Sequence, residues 1–182
     1  GTAHLGEFGS REIIARTKSE LPQAVPASGV VVLNVDDTAV AAMADVTAAR
    51  VVRVSRSVPT DVWAADVTLD DLARARFTLR RGDEAVPVRL AVFGDHQVSN
   101  ALCAAAVAFE CGATGEQVAT ALAAAGPTSP SRMDVVTRAD GVTVINDAYN
   151  ANPDSMRAGL QALAWMSRTS SADSGGDRRR SW

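Results

Sequence analysis

Lysine is almost missing from this chain: of its 18 basic residues only Lys18 is not Arg. A preference for Arg codons explains the arginines and leaves the single amine unexplained. A guanidinium stays protonated and cannot enter the carbamate or Schiff-base chemistry open to an amine. Histidine is equally scarce, with His4 and His96 alone. Aromatic residues make up 4% of the chain and no basic stripe runs along it. The stacking platform and the electrostatic footprint of a nucleic-acid binder are therefore both lacking. No apolar run reaches the length of about 18 residues that a membrane span needs. No charged-apolar-small leader and no initiating Met are present either, so the expectation is a cytoplasmic protein and an internal piece of a longer one. The two cysteines, Cys103 and Cys111, fall in one Ala-rich helical stretch. That spacing separates them by about 12 Å along a helix axis, which excludes a disulfide between them. They are expected to be small buried hydrophobes in a reducing compartment.

What the chain does have is enough apolar material for a sizeable core: 182 residues, 47% hydrophobic and 21% charged, with net charge −3. Residues 10–20 read as a short amphipathic helix carrying Lys18. The run Gly29 to Val35 is too short and too β-branched for a helix and reads as a buried parallel strand, with Asp36-Asp37-Thr38 opening the next helix. An Ala-rich stretch, 38–48, leads to a second strand at 50–55, giving a βαβ unit. From 61 to 93 the pattern alternates, predicting an antiparallel ribbon attached to the parallel sheet. Helices follow at 96–111 and 115–125, the second opened by the capping-box pair Thr114 and Gln117. Gly126-Pro127 stops it, and 128–131 reads as a linker. Beyond it, Met133 to Asp147 reads as a hairpin turning at Asp140-Gly141. Asn152-Pro153-Asp154 starts a helix expected to end near Met166. The Ser, Gly, Asp and Arg of 167–182 predict a mobile tail.

Four segments carry candidate chemistry. The first, Ala3-His4-Leu5-Gly6-Glu7-Phe8-Gly9-Ser10, sets an imidazole beside a Gly-rich turn just ahead of Lys18. In Gly94-Asp95-His96-Gln97-Val98-Ser99-Asn100, His96 and Asn100 share a helix face; they either cap the helix or present an amide to an adenine edge. Arg132, in Ser131-Arg132-Met133, sits at the linker, where a bidentate fork could close on a phosphate. In the stretch from Asn146 to Met156, helix capping explains Asn152 and Pro153 but not Asp147, Tyr149 and Asn150. These three stand at the carboxyl edge of a strand, where α/β sheets bind ligands.

In order and spacing these segments resemble the Mur ligase family, and the resemblance spans residues 1–166. The stretch Tyr149-Asn150-Ala151-Asn152-Pro153-Asp154-Ser155-Met156 is similar to the D-alanyl-D-alanine-adding branch. Gln97 departs from the pattern, standing where the family usually has Asn. The resemblance implies an α/β fold: the later part of a central ATP-binding domain at 1–130, the start of a Rossmann-like C-terminal domain at 131–166, and a disordered tail at 167–182. It implies that the phosphate-binding Gly-rich loop, a metal-binding Glu and a first domain lie upstream. The implied reaction joins D-alanyl-D-alanine to UDP-N-acetylmuramoyl-tripeptide through an acyl phosphate made from ATP, in peptidoglycan precursor synthesis, by a monomeric enzyme. By the same resemblance His4 and Lys18, the latter as its carbamate, would hold two magnesium ions. His96 and Asn100 would face the adenine, Arg132 the γ-phosphate and Asp147 the ribose or phosphates, with Tyr149 and Asn150 shaping that wall. Lys18 and Arg132 are the catalytic candidates, although this piece alone is expected to be inactive. Two alternatives stay open: another ligase of the Mur or folylpolyglutamate type, and a non-catalytic nucleotide-binding remnant.

Overall fold

The computed structural model describes residues 10–126, 129, 131–149 and 151–173. Helix α1 (Arg11–Ala24) begins at Ser10, whose hydroxyl accepts the Ile13 N–H, and it runs past the expected end at residue 20. Pro22 lies in its last turn, where it removes the bond to the carbonyl four residues back, and the helix ends two residues later. Strand β1 (Val30–Asn34) follows. The crossover expected as an Ala-rich helix is a single turn, α2 (Thr38–Ala41), running into a 3-10 segment at Ala42–Val46. Asp37 caps it by accepting the N–H groups of Ala39 and Val40. Then come β2 (Arg50–Ser55), β3 (Val62–Leu69), β4 (Arg74–Arg81) and β5 (Glu84–Phe93).

These strands form one five-stranded sheet in the order β1-β2-β3-β4-β5. The first three are mutually parallel and the last two antiparallel, as the change of pattern after residue 61 predicts. Parallel neighbours ordinarily need a crossover of about a dozen residues or more, yet β2 and β3 are joined by a short loop. They overlap only at Val54/Val62 and Ser55/Trp63. Because β3 starts where β2 ends, the chain need only step sideways.

Helix α3 (Gln97–Glu110) and helix α4 (Gly115–Ala124) cover one face of this sheet. Val98, Leu102 and Ala106 of α3 are fully buried against Val54, Val62, Phe77 and Leu79. On the other face, Val31 and Leu33 of β1 pack with Met43 and Ala49, so β1 is apolar on both sides, as a covered parallel strand must be. The capping box of α4 is formed as expected, with Thr114 and Gln117 exchanging hydrogen bonds. The cysteines depart from expectation. Cys103 is half-buried against the core, where burial pushes its thiol pKa up. Cys111, the residue that ends α3, is exposed.

After the linker, β6 (Asp134–Thr137) and β7 (Thr143–Asn146) form the expected hairpin. Helix α5 (Pro153–Asp173) starts as predicted but continues past Met166. Once a helix is nucleated, each added residue gains a hydrogen bond, which offsets the poor propensity of its Ser and Thr. Residues 174–182, the rest of the expected tail, lie outside the described residues. A small core of Ala73, Met133, Ala162 and Met166 fastens this hairpin and helix onto the β3–β4 turn. Trp165 adds a hydrogen bond from its Nε1 to the Asp70 carbonyl at 2.9 Å.

Candidate functional site

The end of β5 and the start of α3 form one wall of the site. Gly94 turns the chain with φ 99°, and a Cβ there would lie 2.6 Å from Cε1 of the His96 ring. Only glycine lets the imidazole fold against the backbone at this point. His96 makes no side-chain capping bond to α3, which removes the capping explanation for it. Loss of water around the ring lowers its pKa from the ordinary 6.5, against the opposing charges of Asp147 and Asp95. The shift favours the neutral imidazole, a donor and an acceptor, although the residue as a whole is exposed. One turn on, Asn100 is exposed and its Nδ2 donates to Gln97 Oε1 at 2.9 Å.

Residues 131–133, held by Asp147 and Tyr149, form the facing wall. Arg132 is exposed, and its guanidinium lies 3.9 Å from the centre of the Tyr149 ring, a cation–π contact. Tyr149 donates its backbone N–H to the Ser131 carbonyl at 2.9 Å, and Asp147 Oδ1 accepts the Met133 N–H at 3.1 Å. One oxygen of Asp147 is thus spent within the protein. Asn152 caps α5 through Oδ1, accepting from Asp154 and Ser155.

Between the walls lies a cavity of about 340 Å³, lined by Phe93, Gln97, Asn100, Ser129, Arg132 and Met133 among others. Asn100 and Arg132, from opposite sides of the linker, thus share one space. His96, Asp147 and Tyr149 stand beside it; the influence of the Asp147 charge on His96 marks the closeness of the two sides. Lys18 is exposed on α1 and takes no part in lining this cavity. His4 and Asn150 lie outside the described residues, so the expected pairing of His4 with Lys18 has no geometry to report. Among the described residues no cluster of three or more His, Cys, Asp or Glu side chains could hold a metal ion.

Sequence reading overlooked a network that supports the first wall. Ser55 at the end of β2 is fully buried and donates its hydroxyl to Asp36 Oδ1 at 2.6 Å, while accepting the N–H groups of Ser57 and Val58. Asp36 Oδ2 accepts the Arg56 N–H at 2.9 Å, and the Arg56 guanidinium binds Asp95 Oδ1 at 2.6 Å, directly before His96. Burial pushes the Asp36 pKa up, but the bonds from Arg56 and Ser55 outweigh it and hold it below the ordinary 3.8. The carboxyl ends of β1 and β2 are thereby tied to the loop carrying His96. Two acids right after a strand are the available signal, and the helix start accounts only for Asp37.

Comparison with known proteins now bears on this site. Residues 1–108 match the Mur ligase middle domain, and residues 131–172 match the Mur ligase glutamate ligase domain. Over all 182 residues the chain is 71% identical to the UDP-N-acetylmuramoyl-tripeptide--D-alanyl-D-alanine ligase of Mycobacterium tuberculosis, of which it spans 35%. The crystal structure of MurF from Acinetobacter baumannii superposes with a TM-score of 0.83 and 34% identity, over 91% of this chain and 36% of that one. MurF ligase from Thermotoga maritima in complex with ADP shares the fold, at a TM-score of 0.75 and 24% identity over 90% of this chain and 37% of that one. The chain thus spans about a third of the length of the proteins it matches, and it belongs to the Mur ligase family.

Proposed function

We propose that these residues are part of a ligase that uses ATP to join D-alanyl-D-alanine to UDP-N-acetylmuramoyl-tripeptide, working in the cytoplasm as a monomer. In this reading ATP phosphorylates the terminal carboxylate of the tripeptide, and the amine of D-alanyl-D-alanine attacks the resulting acyl phosphate. The observation that carries it is the shared cavity in which Asn100 and Arg132 meet across the linker. Asn100, with the neutral His96 beside it, would meet the adenine edge, since an amide and an imidazole each offer a donor and an acceptor. Arg132 would meet the γ-phosphate, where negative charge gathers during transfer, and Asp147 the ribose or phosphates. Tyr149, lying against Arg132, and Asn150 would shape that wall.

His4 and the carbamate of Lys18 fit magnesium by donor chemistry, because a carbamate provides the hard anionic oxygens this ion prefers and an ammonium cannot. Magnesium, when bound, neutralises charge developing on the transferred phosphoryl group. The exposed position of Lys18 leaves its amine open to carbamylation.

The 71% identity to a D-alanyl-D-alanine-adding ligase supports this branch over other amines. The test is phosphate release by the complete protein with ATP, magnesium and both substrates, each candidate amine being offered in turn. Turnover with D-alanyl-D-alanine and with no other amine is expected, and none from residues 1–182 alone. Turnover that prefers a different amine, ATP binding indifferent to Asn100→Ala, or full turnover in Arg132→Ala would overturn the proposal.

A further inference from the structure

The linker around Arg132 is bent in an unusual way. Ser131 and Met133, its two neighbours, both have left-handed backbone, with φ of 59° and 48°. Neither is glycine, and an L side chain adopts this region at a cost, so the conformation persists only where surrounding contacts determine it. Those contacts are visible on every side. Asp134 Oδ2 accepts the Ser131 N–H at 2.7 Å, and the Ser131 carbonyl accepts the Tyr149 N–H at 2.9 Å. Asn146 Nδ2 donates to Ser131 Oγ at 3.3 Å, and Asp147 Oδ1 accepts the Met133 N–H at 3.1 Å. The Met133 side chain is itself buried in the small core that fastens α5 to the β3–β4 turn. Between these two fixed residues Arg132 is exposed, lies over the Tyr149 ring and lines the cavity it shares with Asn100.

We propose that Asp134 is a positioning residue for Arg132: with Asn146, Asp147 and Tyr149 it holds the strained Ser131–Met133 backbone that aims the guanidinium at the cavity. The proposal rests on the ligase reading above, in which Arg132 meets the γ-phosphate. Removing the Asp134 acceptor lets Ser131 relax to negative φ, which turns the following peptide and carries Arg132 off its line. Misplacement of a positioned group by about 1 Å can cost roughly a hundredfold in rate. The loss should fall on kcat more than on the KM for ATP, since the arginine acts where charge develops in the transition state.

The test uses steady-state kinetics on the complete ligase. Asp134→Ala is expected to lower kcat by about tenfold to a hundredfold. Asp134→Asn, which keeps an oxygen acceptor, should recover most of that loss. In the Asp134→Ala background Ser131→Gly should also recover activity, because glycine reaches positive φ without strain, whereas Ser131→Ala should not. With Asp134 intact, Ser131→Val should have a lower kcat than Ser131→Gly, a comparison that holds even if Asp134→Ala fails to fold. Equal kcat for the Val and Gly variants, failure of glycine to rescue, or full kcat in Asp134→Ala would overturn the proposal while a severe loss in Arg132→Ala leaves the ligase reading standing. Full turnover in Arg132→Ala would instead remove the reading on which both depend.

Discussion

Asp36 shows how much one side chain can hold at the carboxyl edge of the sheet. It accepts from the Ser55 hydroxyl and the Arg56 N–H, and Ser55 is fully buried. Asp36→Ala leaves these donors without a partner, at a cost of about 1–3 kcal/mol in urea unfolding of the complete protein. The sign with pH follows from its depressed pKa: the stabilisation is present above the ordinary 3.8 and is lost as pH falls through the folded value. His96, whose pKa is also depressed, has the same sign in a higher pH window. With a folded pKa below 6.5, it favours the folded state above 6.5 and loses that advantage as pH drops below it. Because Asp147 opposes the shift, Asp147→Asn should move the His96 midpoint further down when followed by NMR titration. An unchanged or raised midpoint would mean that the two sides of the linker do not face each other.

At the scale of elements, α3 links the core to the site. Leu102 is fully buried against the sheet only two residues after Asn100. Leu102→Ala should therefore cost about 2–5 kcal/mol, read by urea unfolding, and should disturb the wall that carries Asn100. Most of these elements were legible in the chain because their signals are local. The β-branched run at 30–34, the alternation after residue 61 and the Thr114–Gln117 box each act within a few positions. What escaped depends on distance or on propagation. Helix α1 passes residue 20 despite Pro22 and ends two residues after it, while α5 passes Met166, where no Gly or Pro stands. The bond from Arg56 to Asp95 joins residues far apart in sequence, and nothing in either local pattern pairs them. The left-handed backbone at Ser131 and Met133 was equally hidden, since no glycine marks it. The structure brings Asn100 and Arg132 to one cavity, whereas the described residues give His4 and Asn150 no position to compare.

For the molecule as a whole, the proposed function turns on residues 131–133. The hairpin and α5 are fastened to the β3–β4 turn by Met133, Ala162, Met166 and the Trp165 bond to Asp70. This attachment sets Arg132 across from Asn100 and brings Asp147 near His96. The most direct measurement is a crystal structure of the complete protein with magnesium and a non-hydrolysable ATP analogue. The adenine is expected against Asn100 and the terminal phosphate within hydrogen-bond reach of Arg132. Nucleotide bound with either residue facing away from it would remove the basis of the ligase reading.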